Sequence, residues 1–409
     1  MVGCRQVTSV FSPTHRTNFG AVLTSVCGLI TPLAVAISVT AAYGLFVLWR
    51  LRVTGGDPSF FVVAGPLAAD PAHTLPNLHV FTSGATYDGQ FFYRLALEPW
   101  TNARTAYGIT LDVPAYRQQR LLYPLLAWTL TGGSWQLTPV ALIVVNLVAV
   151  AVLAYAVAVF ASGMGRSPLA SLLVPLYPGY LVTISRDLAE LTEAALLAMA
   201  VVLLQRRRFW LASAALTVGA LGKETLLGVP VAGIIIWAVR RARRQGAAGE
   251  PALLTWAIPL FAYAGWSLVL LARWGTTGFG QGVVNFGVPL EALVRHLQAL
   301  ATPDLRANRV EIGLLLLIAG ALTAVVVTSR RRLLGPAVWP GACVFYAVLA
   351  LFYASYVWQD DYAYLRALHE LFLTASLALL TVNVWATRVL NLATVGLWAA
   401  FALQIGPAP

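Results

Sequence analysis

The chain has 409 residues, of which 59% are apolar and only 11% charged, with a formal net charge of +11 from 27 Lys+Arg against 16 Asp+Glu. So few charges exclude an ordinary soluble enzyme, which carries about 25%, and recurring apolar runs of about 20 residues indicate a polytopic membrane protein. The arginines stand in short clusters between those runs, the signature of cytoplasmic loops and not of a nucleic-acid surface.

In chain order, the first apolar run covers 21–49. It is too long for a signal-peptide core of roughly 7 to 15 residues and reads as a retained membrane helix. A long loop, 52–136, follows. Its first part, Gly55 to Pro76, is rich in Pro and Gly. Asp88 to Leu97 has the spacing of an amphipathic helix with Phe91, Phe92, Leu95 and Ala96 on the apolar face, suited to lying on the bilayer. Arg120 to Leu130 reads as a second short apolar helix dipping into the interface. Further spans are expected at about 137–161, 168–184, 188–205, 209–222, 225–239, 253–272, 312–328, 336–356, 367–384 and 389–405, about eleven in all. The runs 168–184, 209–222 and 225–239 are short for a bilayer, which implies tilted or broken helices. A second larger outer loop is expected at 273–311. The fold class is therefore an all-α polytopic membrane protein, with 1–409 as a single membrane domain.

Orientation follows from the basic clusters. Arg5, Arg16, Arg166, Arg206 to Arg208, Arg240, Arg241, Arg243, Arg244, Arg330 to Arg332 and Arg388 fall on one side of the eleven-span layout. The positive-inside rule makes that side, and the N-terminus, cytoplasmic. Cys4, Cys27 and Cys343 have no metal-site spacing and are expected to be free thiols.

Ionisable groups in or at the rim of membrane spans are costly, at least about 2.5–3.5 kcal/mol each near a helix centre, so each is a functional candidate. Four clusters stand out, all on the expected outer side. The first is Asp88, Gln90 and Arg94, beside Tyr87, with Arg117 and Arg120 later in the loop. The second is "SRDLAELTEAA", where Asp187 and Glu190 share a helix face and Glu193 lies one turn further in. The third is "GALGKETLL", with Glu224 beside Lys223, the only lysine of the chain. The fourth is "YVWQDDYAYLRALHE", with Asp360 and Asp361 between aromatics and then Arg366 and His369. Each also fits a plain solvated helix end or a self-satisfied ion pair. The chain has no Walker A, GxGxxG, HExxH, GxSxG or CxxC motif, so ATP-driven transport and zinc chemistry have no support. No cofactor and no metal are expected.

The segment "YDGQFFYRLAL" followed by "YRQQRLLYPLLAW" resembles the first-loop signature of a bacterial branch of the GT-C superfamily, integral-membrane glycosyltransferases that use a polyprenyl-phosphate-linked sugar. "ALGKETLL" is similar to a charged turn in the same proteins. The resemblance covers the layout of the chain and is specific at 87–97 and 116–128. It implies a bacterial inner-membrane enzyme with an extracytoplasmic active site, a polyprenyl-phosphate-linked sugar as donor, a lipid or glycan acceptor, membrane lipids around it and no nucleic acid. The superfamily's first-loop acid falls on Asp88, with general base as its implied role. Arg117, Arg120, Lys223 and Arg366 are the candidates for the donor phosphate. Tyr87, Gln90, Arg94, Asp187, Glu190, Glu224, Asp360 and Asp361 are candidate substrate contacts. Many members carry two acids in this loop. Here Asp88 stands between Tyr87 and Gly89, and nothing in the sequence brings Asp112 beside it. The alternative readings are a transporter or flippase of a lipid-linked glycan, or a non-catalytic membrane subunit. No inverted repeat favours transport.

Overall fold

The structure, a computed structural model, describes residues 31–82, 86–245, 249–300, 309–329, 337–358, 361–382 and 384–405. Among them, six helices are long and apolar enough to cross a membrane: Pro32–Val53, Thr138–Gly163, Glu224–Ala242, Leu253–Trp274, Arg309–Thr328 and Trp385–Ile405. Phe209–Ala220, Trp339–Leu351 and His369–Val382 are shorter apolar helices. Arg5, Arg16, Cys4, Cys27 and Arg330 to Arg332 lie outside the described residues.

We number the helices that matter here α1 (Pro32–Val53), α2 (Gly89–Leu97), α3 (Pro114–Gln118), α4 (Leu122–Thr131), α5 (Thr138–Gly163), α6 (Gly179–Ser185), α7 (Glu190–Gln205), α8 (Phe209–Ala220), α9 (Gly228–Ala242), α10 (Leu253–Trp274), α11 (Asp361–Ala367) and α12 (His369–Val382). Helix α5 is the central post. It packs on α1, α4 and α7, and α7 in turn packs on α8. One continuous apolar core runs from Val35 to Ile405. The only paired strands among the described residues are Thr105–Ala106 and Ile109–Thr110, a two-stranded hairpin in the long loop.

The expected span at 168–184 is not one helix. Pro168, Pro175 and Pro178 each lack a backbone N–H, which breaks the α-ladder. The segment instead forms a 3₁₀ turn, Pro168–Leu173, and then α6. The chain re-enters α7 through Asp187, whose φ is +47°. Asp tolerates that left-handed region better than most residues.

Helix α2 also departs from its expected role. All nine of its residues are buried, Gln90 and Arg94 as well as Phe91, Phe92, Leu95 and Ala96. It does not lie with one face on a bilayer and the other in water. It is packed between α4 and α5, so its polar side chains are enclosed with its apolar ones.

The N-terminus of α2 is held by backbone contact. A Cβ at Gly89 would stand 2.3 Å from the Arg186 carbonyl oxygen and 2.6 Å from that of Val62. The α6–α7 break and the long loop therefore both press on residue 89, which fixes the position of Asp88. Gly89→Ala is expected to lose about 1–3 kcal/mol of stability through overpacking. Gly44→Ala in α1, where nothing lies within 4 Å, is expected to be neutral or mildly stabilising. Thermal unfolding of both variants in detergent checks the contrast.

Candidate functional site

Asp88 occupies the N-cap position of α2, yet its side chain makes no capping hydrogen bond. An Asp there ordinarily accepts from a first-turn N–H. Here the carboxylate turns towards two guanidinium groups. Arg117 Nη1 donates to Oδ1 at 2.7 Å, and Arg366 Nη2 donates to Oδ2 at 3.0 Å. The loop thus meets α11 across 278 residues of chain. Tyr87 joins the group, its ring 5.1 Å beneath the Arg366 guanidinium and 5.4 Å from that of Arg186. Arg186 also stacks on Tyr362 at 3.9 Å.

Each arginine is anchored from behind by a second acid. Arg117 grips Asp112 with two hydrogen bonds, Nε and Nη2, both at 2.8 Å. The second loop acid is therefore present, linked to Asp88 through one shared arginine. Arg366 Nε donates to Glu190 Oε1 at 2.9 Å. Arg120 is committed elsewhere: it makes a bidentate pair with Glu224 at 2.9 and 2.7 Å and a third bond to the Tyr116 hydroxyl at 2.8 Å.

Behind this front lies a largely buried layer. Lys223 Nζ donates to the backbone carbonyl of Arg366 at 3.0 Å and stands 3.8 Å from both Glu190 Oε1 and Glu370 Oε1. Thr225 donates to the same Glu370 oxygen. His369 Nδ1 is 2.6 Å from the Arg366 carbonyl oxygen. A carbonyl only accepts, so Nδ1 carries a proton. His369 Nε2 is 2.6 Å from Glu193 Oε2, and a contact that short between two possible acceptors requires one more proton between them. Lys223 and His369 therefore converge on one carbonyl and hold the end of α11, which carries Arg366.

Glu193, His369 and Glu370 each bring a ligand atom within 4.8 Å of the others, the spacing of a metal site. The Lys223 ammonium is 3.2 Å from His369 Nδ1 in the midst of these donors. A divalent ion would have to compete with both that ammonium and the proton between His369 and Glu193. The donor set is built around an ammonium and a shared proton.

The candidate residues divide as follows. Asp88, Arg117, Arg366, Tyr87, Glu190 and Lys223 come together, with Arg120 and Glu224 as an adjoining pair. Gln90 does not join them: its Oε1 accepts from the Gly65 N–H at 3.3 Å inside the loop. Arg94 is bonded to Glu98 and Thr101 at 3.2 and 2.9 Å, under the Tyr107 ring. Asp187 faces the α4–α5 side, 3.4 Å from the Tyr123 hydroxyl. Asp360 lies outside the described residues, and Asp361 is described only by its backbone at the start of α11. The sequence clusters include Glu193 and His369 without giving either a role, and they do not single out Glu370. The signal for the first is its three-residue step from Glu190. For the other two it is the dyad opening α12 directly after Arg366, but no sequence feature pairs positions 176 residues apart.

No family model, curated protein or solved structure matches this chain.

The front and back layers differ in exposure. Asp88 keeps 22% of its side chain exposed, while Glu190, Glu193 and Glu370 keep 2% or less. Burial alone would raise the Asp88 carboxyl, but Arg117, Arg366 and Arg120 outweigh it and hold the group below the ordinary carboxylate range. Asp112 is shifted the same way, its partial burial outweighed by the bond from Arg117.

Both folded values lie below the unfolded one, about 4. The stabilisation from these two groups is therefore complete above that pH and is lost as pH falls through the depressed values. Unfolding temperature measured downward from pH 6 is expected to fall steeply only below about pH 4, and less steeply in Asp112→Asn. Lys223→Met leaves Glu190 and Glu370 without their ammonium and is expected to lose about 3–5 kcal/mol, more than Asp88→Asn, in thermal unfolding at neutral pH.

Proposed function

We propose that the protein is a glycosyltransferase that moves a sugar from a polyprenyl-phosphate carrier to an acceptor hydroxyl, with Asp88 as general base. The observation that carries this reading is the pairing of one part-exposed carboxylate with two arginines that are each fixed from behind by another acid. A base and an anion clamp at one point are what a single displacement at a sugar phosphate needs.

In the step, the acceptor oxygen forms a bond to the anomeric carbon while the bond from that carbon to the phosphate oxygen breaks. The electron pair leaves with the phosphate, whose growing charge falls to Arg117 and Arg366. The acceptor's proton goes to Asp88. One base and a stabilised leaving group give inversion, without the paired carboxylates of a glycosidase. Lys223 and His369 act on the chemistry only by holding Arg366.

The wider frame of the reading is a GT-C-like layout of about eleven spans, counting broken and short helices with the six long ones. It places the protein in the bacterial inner membrane with a cytoplasmic N-terminus and the Asp88 cluster outside. The basic residues in the turns after α7 and at the end of α9 support that orientation.

Purified protein in lipid nanodiscs, given polyprenyl-phosphate-linked sugars and membrane lipid acceptors, is expected to transfer sugar. Asp88→Asn is expected to lower kcat by roughly 10²–10⁴-fold with the fold retained. Undiminished transfer by the folded variant rules out Asp88 as the base.

A further inference from the structure

We propose that the Asp88 carboxylate occupies the seat of the donor's phosphate, and that a phosphate ester binds by displacing it, so that the base is set free only when the donor is present. The inference rests on the reading of Asp88 as base and deepens it. Three observations support it.

First, the contacts to Asp88 are the separable ones. Arg117 spends Nε and Nη2 on Asp112 and only Nη1 on Asp88. Arg366 spends Nε on Glu190 and Nη2 on Asp88. Withdrawal of Asp88 leaves both guanidinium groups in place, because Asp112 and Glu190 still hold them. Lys223 and His369 hold the Arg366 backbone as well.

Second, the shapes match. Asp88 presents two oxygens, one to each Nη. A sugar–phosphate–polyprenyl diester presents two non-bridging oxygens and the same single negative charge. The exchange is therefore nearly even in charge for the donor. It becomes favourable as the leaving phosphate gathers its second charge, which places the gain in the transition state and not in the ground state.

Third, the Asp88 backbone is held in place, but its carboxylate is bonded, among the described residues, only to the two arginines. It has no capping bond to its own helix, and its side chain is 22% exposed, against 2% for that of Glu190 on the other side of Arg366. While both its oxygens are held by arginines the carboxylate is a poor proton acceptor. Once released it regains the basicity the reaction needs.

The test is equilibrium binding of long-chain polyprenyl phosphate to the full-length protein in nanodiscs. Inorganic phosphate and the phosphate-free polyprenol serve as separate arms. Removal of the internal competitor in Asp88→Asn is expected to tighten polyprenyl-phosphate binding about ten-fold, since an empty seat no longer has to be vacated first. Arg366→Gln is expected to weaken it in both backgrounds, and polyprenol binding is expected to be unchanged. A parallel gain for inorganic phosphate supports the exchange at the head group alone. A gain confined to the lipid supports it with the chain contributing. Equal binding by wild type and Asp88→Asn overturns the exchange and leaves the donor reading standing. Absence of polyprenyl-phosphate binding in both overturns the donor reading and the exchange with it. Thermal unfolding verifies the fold of each variant, and Asp88→Ser carries the same comparison if Asp88→Asn does not fold.

Discussion

The constraint on which this structure depends is the cost of enclosing carboxylates in an apolar helical bundle. Glu190, Glu193 and Glu370 are at most 1% exposed. An isolated buried carboxylate costs far more than a domain's net stability, so each needs a cation or a proton. Lys223, Arg366 and His369 supply them. They come from a turn after α8, from α11 and from the start of α12, so satisfying three acids on α7 and α12 ties distant parts of the chain into one unit. Helix termini assist. Glu190 and Glu193 stand in the first turn of α7 and Glu370 in that of α12, while Arg366 is in the last turn of α11. Each charge has the sign that its helix end favours.

Asp88 belongs to this network and is also its exception. Gly89 lets the α2 terminus touch the backbone at Arg186 and Val62, which brings the carboxylate to the edge of the buried layer. There it meets arginines already fixed by Asp112 and Glu190. On the proposed reading, a rigid rear layer and a removable front contact are the two properties that a base sharing its cations with a leaving group requires. Tight pairing also explains why Asp88 is held ionised in the resting protein.

Much of the layout was legible in the sequence, because apolar run length and helix-breaking prolines are local properties. The run near 138–163 and those at 253–274 and 309–329 emerged as long helices within a few residues of expectation. The 168–184 run was legible only as too short. Its break into a 3₁₀ turn and α6 follows from the three prolines together with the packing that encloses them. The amphipathic pattern of α2 misleads for a definite reason. Period alone cannot distinguish a helix floating on a bilayer from one whose polar face is covered by other protein, and Arg94 finds its partners, Glu98 and Thr101, inside the loop.

What the sequence determined by itself was the chemistry available: acids and arginines in the long loop after the first apolar run, a single lysine, and further arginines and acids at the ends of apolar helices. Those are facts of composition and order, and they need no partner to be read. Only the tertiary structure decided which charges meet. It gave Arg120 to Glu224, Arg117 to both Asp88 and Asp112, and Arg366 to both Asp88 and Glu190. Ion pairing in a low-dielectric interior depends on distance in space, and the linear order of a chain does not fix that distance between residues 29 positions apart, as Asp88 and Arg117 are, still less between those 278 apart, as Asp88 and Arg366 are.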